Sequence, residues 1–464
     1  MRSSISVQIF AVLMLFGGFV IPNHSSAADL KQLFTPENET ALVLKIEAAL
    51  ARAQAEAGII PGWAAAEITA KADIRYANQK DLQAEYQIVR HRMVALINVW
   101  SRSMEQGAEE YIHFGATTVD IYDTSKVLQL LEATDLLIDQ LREIEAVMIK
   151  LANTHKATPM IGRTLGQHAL PITFGKKVSV WIGENRRHIN RLQRVRGELQ
   201  QSAIMKGAVG SYLGLGEKGV QVELVFAREL GMAAPYADDW HGSRDVFGQY
   251  AAQLGLLAKS WGRIGTELFL LQSTDIGETE EYRPKSVVGS STMPHKNNPS
   301  KSEALIHYSR RIPRLAEALT DDMMNYYERD NTSRPNQSLN EVTLETGLML
   351  DAANKLLAEL IVRPDVMMRN LNKTRGLIMT QRLVFELAPS MGKQTANDKI
   401  HDVALYAMEH QVSLRDAISK FPDISEKLPA RALDELMDVT GYLGLAEEMV
   451  NRVIEETEKA RESD

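Results

Sequence analysis

The residues best equipped for chemistry sit in one polar loop, GSSTMPHKNNPSKSE, from Gly289 to Glu303. Neither strand alternation nor helical periodicity runs through Gly289–Pro299. A serine hydroxyl loses its proton far above neutral pH, so it serves as a base only where its alkoxide is strongly stabilised. The GSS turn brings backbone N–H groups close together, and Lys296 adds a fixed positive charge nearby. That combination suits removal of a weakly acidic C–H proton by Ser290, with Lys296 and Asn298 stabilising a carboxylate as it gains negative charge. On composition alone the same stretch also reads as a polar surface loop without a role.

The elements that must hold this loop read as helices. ETALVLKIEAALARAQAEAGIIP places Leu42, Ile46, Ala49, Leu50 and Ala53 on one face and ends at Gly58 and Pro61. A longer run follows Thr124 and Ser125, either of which suits an N-cap. QYAAQLGLLAKSWGRIGTELFLLQ and EVTLETGLMLDAANKLLAELIV are apolar around much of their circumference, as expected of helices buried in a bundle or between subunits. Polar breaks rich in glycine or proline fall at 113–124, 158–175, 205–219, 235–245, 274–303 and 327–340. No strand–helix alternation is visible. The G-x-G-x-x-G of Gly214, Gly216 and Gly219 has helical neighbours, so these glycines read as allowing a close turn, not as binding a nucleotide.

The 464 residues are enough for about three domains, with 45% hydrophobic and 24% charged residues. A net charge of -8 argues against a nucleic-acid partner, while leaving room for a local cationic pocket. The absence of cysteine excludes disulfides, thiolate metal sites and cysteine nucleophiles. His91, His113, His155, His168 and His241 are scattered without ligand spacing, so no metal is expected, and the serine chemistry needs no cofactor. Arg2, the apolar run Ile9–Ile21 and the small residues before Ala27 and Ala28 follow the order of a secretory signal, too short for a membrane span of ~20 residues. Residues 1–28 are therefore read as a signal peptide. The mature chain is periplasmic or secreted if that signal is genuine and cytoplasmic otherwise, with no membrane association.

GSSTMPHKNNP resembles the signature loop of the fumarase/aspartase superfamily, and it does not stand alone. EYIHFGATTVDIYDT (Glu110–Thr124) and IGRTLGQHALPITFGKK (Ile161–Lys177) resemble the other two shared blocks, in the same order, and the resemblance covers about residues 29–460. It implies an all-α fold of three helical domains, placed here at 29–125, 126–370 and 371–464, the last like the C-terminal domain of adenylosuccinate lyase. The long central helices would form the twenty-helix core of a homotetramer, with each active site built from three subunits. The implied reaction is anti β-elimination on a small anionic carboxylate through an aci-carboxylate intermediate, usually releasing fumarate. Carried over, Ser290 matches the base, and Lys296 and Asn298 the carboxylate-stabilising residues, flanked by Ser291 and Met293. Thr117, Thr118, Asp120 and His113 belong to the first block, and Thr164 and Gln167 to the second, as substrate-binding residues.

The departures bear on the substrate. Adenylosuccinate and argininosuccinate lyases carry Thr-His in the second block, where this chain has Thr164-Leu165, so His168 becomes the nearest candidate acid. RTLGQHALP and DWHGSRD, with Arg244, resemble the 3-carboxy-cis,cis-muconate cycloisomerase branch, and His91 matches a histidine of that branch more loosely. Arginines that would hold a nucleotide phosphate are replaced by Ala304 and Ser338, although Arg329 of ERDNTSRPNQS is retained and Arg334 is available. The expected function is a lyase acting on a succinyl-type substrate and not specific for nucleotides. A lactonising cycloisomerase and a catalytically silent structural homologue are the alternatives.

Overall fold

The computed structural model describes residues 26–332 and 335–464. The export segment expected at the N-terminus lies outside the described residues up to position 25, as does Arg334. A helix already begins at Ala27, whose N–H donates to Asp351 Oδ2 at 3.2 Å.

Eighteen α-helices and two two-stranded sheets make up the described residues. Helix α1 (Pro36–Glu56) leads the N-terminal region. Five long helices form the centre: α2 (Thr118–Thr154), α3 (Phe174–Gln200), α4 (Asp245–Gln272), α5 (Ser300–Asp321) and α6 (Pro335–Ala358). They run alternately up and down as a bundle, and one continuous core joins them to α1. The start of α2 is set by a capping box. Thr117 caps the N-terminus, and the Asp120 carboxylate accepts from the Thr117 N–H at 2.9 Å. With 37 residues, α2 is ~55 Å long at the usual rise. It runs through the expected boundary at position 125.

Helices α4 and α5 approach closely because α4 carries glycine where α5 needs room. A Cβ on Gly262 would collide with Ser309, and one on Gly265 would meet Leu305 Cβ at 2.7 Å. The break expected at 158–175 is not a loop but an antiparallel hairpin, β1 (Pro159–Thr164) and β2 (Gln167–Thr173). Leu165 and Gly166 both take positive φ, 51° and 76°, as a two-residue turn that fits strand twist requires. The strands are too short to stand out beside long helical runs. A second pair, β3 (Thr279–Glu280) and β4 (Ile361–Val362), ties the signature-loop segment to the end of α6.

The C-terminal region has its own small core around Leu383, Leu387, Ile400, Val403 and Leu414. The final helix, α7 (Ala446–Ser463), leaves that core and returns to the bundle, where Arg461 donates to Glu145 Oε2 at 3.1 Å. No helix among the described residues is long and apolar enough to cross a membrane, and no cluster of metal-ligating side chains is found among them.

Candidate active site

The up-down order of the bundle sends the residues singled out in the sequence to two opposite ends. The first end gathers the start of α2, residues 206–245 and the segment leading into α6. Thr117 and Thr118 are half-buried in the first turn of α2. Asp120 is fully buried; its oxygens accept from the backbone N–H of Lys206 (3.1 Å) and Gly207 (3.1 Å) as well as Thr117. It therefore supports the first block from behind and is not presented to a ligand, and burial raises its pKa despite these bonds. Lys206 in turn is a buried cation, with Nζ on Glu223 (2.7 and 2.9 Å) and on the Tyr212 hydroxyl (2.9 Å).

His113 sits just before Thr117 in the left-handed region, φ 57°. Its Nδ1 lies 2.7 Å from Oε1 of Glu47, a carboxylate that α1 carries into the core and that is 2% exposed. Burial, the largest influence, pulls the imidazole pKa down, but the hydrogen bond and charge of Glu47, helped by Asp120, outweigh it and raise the pKa. His91 is at the surface and caps the helix Arg92–Ser101, its Nδ1 accepting from Val94 N–H at 3.3 Å. Beside it a cavity of about 400 Å³ is lined by Glu39, Tyr86, Arg92 and Tyr122 among others. Arg92 stacks over the Tyr122 ring at 4.5 Å.

Arg244 is buried rather than open to a ligand, with Nη1 3.4 Å from Asp123 Oδ2. His241 bridges the same cluster, 3.1 Å from Asp239 and 3.7 Å from Asp123. Arg244 stands at the N-cap of α4, and its buried Nε and Nη1 have no hydrogen-bond partner among the described residues. Arg329 is half-buried in the segment that joins here, where Asn325 donates to the Gly242 carbonyl at 3.4 Å.

The second end holds the hairpin and the signature loop. Thr164 and Gln167 face each other across the exposed turn, and Leu165 at its tip is 100% exposed. His168 pairs across the hairpin with Arg163, which makes two bonds to buried Glu278 at 2.6 and 2.9 Å. Burial first, then the charges of Arg163 and Lys373, lowers the His168 pKa, which favours the neutral ring. That direction disfavours a proton donor at this position.

The signature loop spans the gap between α4 and α5. The Ser290 hydroxyl oxygen accepts from the Met293 N–H at 3.1 Å, so a backbone dipole already points at the atom that must carry charge. Asn298 Nδ2 donates to the Gly289 carbonyl at 3.0 Å, closing the loop on itself. Arg283 donates to the Lys296 carbonyl at 3.0 Å and occupies the space a Cβ on Gly289 would need. Ser291, Met293 and Lys296 are exposed. Below the loop, buried Glu281 accepts from the N–H groups of Lys301 (3.0 Å) and Ser302 (2.8 Å), pinning the first turn of α5. Sequence reading missed Glu47, Lys206, Glu223 and Glu281. Glu47 and Glu223 lie within helical patterns and Lys206 and Glu281 in polar breaks, with nothing local to set any of them apart.

The lyase family profile matches residues 24–313, and the adenylosuccinate lyase C-terminus profile matches residues 376–453. Adenylosuccinate lyase of Methanocaldococcus jannaschii is 36% identical over 92% of this chain and 93% of its own length. The chain belongs to the fumarase/aspartase superfamily. This lyase is also 33% identical to the N-acetyl-S-(2-succino)cysteine lyase of Enterococcus italicus, over 94% of the chain and 95% of that relative. Among solved structures it resembles the 3-carboxy-cis,cis-muconate lactonizing enzyme of Pseudomonas putida, with a TM-score of 0.85 and 32% identity, covering 94% and 98% of the two chains. The lyase is thus an enzyme of a superfamily whose members include lyases and a cycloisomerase.

Proposed function

We propose that this lyase catalyses anti β-elimination on a succinyl-type di- or tricarboxylate, releasing fumarate or a similar alkene acid. The observation that carries this reading is the Ser290 hydroxyl beneath the Met293 N–H, in a loop that also exposes Lys296. Ser290 takes the proton from the carbon next to a carboxylate, Lys296 balances the charge that carboxylate gains, and the bond to the leaving group breaks on the opposite side. Nothing in this chemistry calls for a metal or an organic cofactor.

The two ends of the bundle are a helix length apart, so Thr117 and Thr118 cannot meet Ser290 within one chain. We infer a homotetramer in which copies lie antiparallel and complete each other's sites. Exposed apolar residues on the bundle helices, Val180, Leu256, Phe269, Leu270 and Leu348, support such packing. A nucleotide leaving group is disfavoured by Ala304 and Ser338. The named relatives act on N-linked and S-linked succinyl groups, so an amine or a thiol is the leaving group we favour.

Leu165 at the hairpin tip supports a second reading, lactonisation or ring opening of a carboxymuconate. The two are separated by one ultraviolet assay with adenylosuccinate, argininosuccinate, aspartate, malate, S-succinocysteine and 3-carboxymuconate, with Ser290→Ala as control. Fumarate formed from a succinyl compound, and lost in the variant, supports elimination. Loss of muconate absorbance without fumarate supports the cycloisomerase, and inactivity on every compound removes both.

A further inference from the structure

An elimination that expels an amine needs a proton donor, and the hairpin at the second end of the bundle does not favour one. Leu165 has no proton to give, and the surroundings of His168, Arg163 among them, favour its neutral ring. The first end offers a group with the opposite properties. His113 directs Nδ1 at buried Glu47, 2.7 Å away, which fixes the tautomer and leaves Nε2 as the outward nitrogen. The side chain is 15% exposed, and among the described residues the ring's hydrogen bond is the one from Nδ1 to Glu47. The left-handed backbone at His113 holds the ring at the edge of the first block, four residues before Thr117. Gln54 on α1 further ties this turn down by donating to the Phe114 carbonyl.

We propose that His113 is the proton donor to the leaving group and that Glu47, 2.7 Å from its Nδ1, is the positioning residue that orients it. The proposal rests on the elimination reading. Ser290 of another copy takes the proton from carbon, and the electron pair of that C–H bond passes through the aci-carboxylate into the new alkene. The bond to the leaving atom breaks with its electrons on that atom, which takes the proton from His113 Nε2. The imidazole is left neutral, and both residues return to their starting states by exchange with water. The charged groups facing His113 are Glu47 from α1 and Asp120 from α2, both of which favour the imidazolium.

Two measurements test this, and they fail separately from the elimination reading. The first needs no substrate: the His113 ring is titrated by NMR in the whole protein and in Glu47→Gln. Its pKa is expected to fall by about one pH unit or more in the variant. An unchanged titration shows that Glu47 does not hold the charge and overturns the assignment. The second compares His113→Gln on an N-succinyl alkylamine and on an S-succinyl arylthiol, whose thiolate departs without a proton. Turnover is expected to drop ~100-fold or more for the amine and less than ~10-fold for the thiol. Equal losses on both overturn the donor role and leave His113 a binding residue. Should Glu47→Gln not fold, Glu47→Asp, which keeps the carboxylate on a shorter stem, takes its place in the titration with a smaller expected fall; an unchanged value again overturns the assignment. A wild type inactive on both compounds would instead remove the elimination reading, while the titration would still decide whether Glu47 and His113 form a charged pair.

Discussion

Single residues at the first end carry more electrostatic burden than their sequence neighbourhood announces. Lys126 on α2 is buried without an ion pair among the described residues; its Nζ contacts Gln129 Oε1 (2.7 Å) and Asn340 Oδ1 (2.8 Å) and lies over the Phe34 ring. Burial lowers its pKa to about 8 from the ordinary 10.5. Because the folded value is below the unfolded one, the unfolded chain binds more protons between those limits, and stability rises with pH across that window. The wild-type unfolding free energy should therefore gain on that of Lys126→Met from pH 8 to 10, by at most ~1.4 kcal/mol per pH unit. Parallel denaturant titrations of the two proteins check this, and parallel curves would refute it. The Lys206–Glu223 pair makes a different prediction. Glu223→Gln leaves a buried ammonium without its counter-charge and should cost about 3–5 kcal/mol, read as a lower melting temperature. His113 and Glu47 stand 66 positions apart, so a pair at 2.7 Å could not be read from either local pattern.

The helices show why glycine has opposite meanings on the same bundle. Gly262 on α4 faces Ser309, and a methyl group there must push α5 away, so Gly262→Ala should destabilise by about 1–3 kcal/mol. Gly197 on α3 has nothing near its missing Cβ, and Gly197→Ala should stabilise by about 0.5–1 kcal/mol. Thermal melts of both variants test the contrast. Helical periodicity was enough to locate α1, α2, α4 and α6, since apolar residues at three- and four-residue spacing record the face each helix buries. It did not reveal the β1–β2 hairpin. Pairing of strands only six and seven residues long is set by the tight turn at Leu165–Gly166 and by what the hairpin packs against, not by propensity.

The whole molecule separates what must act together. If sites are shared between copies, mixing Ser290→Ala with His113→Gln and refolding the mixture should restore activity to about a quarter of wild type by random assembly. Each variant alone should stay inactive on the N-succinyl amine. No recovery, in particles whose tetrameric mass is confirmed by light scattering, would place both groups in the same copy's site. By itself the sequence determined the helical class, the three blocks and the serine loop, because each is a local pattern of residue types. Only the tertiary structure decided that Asp120 and Arg244 are buried, that the surroundings of His168 favour its neutral ring, and that His113 is backed by Glu47. Those outcomes depend on burial and on charges brought together from distant helices. The length of α2 then places the blocks at opposite ends of the bundle, a separation that no spacing along the chain records until the helix is built.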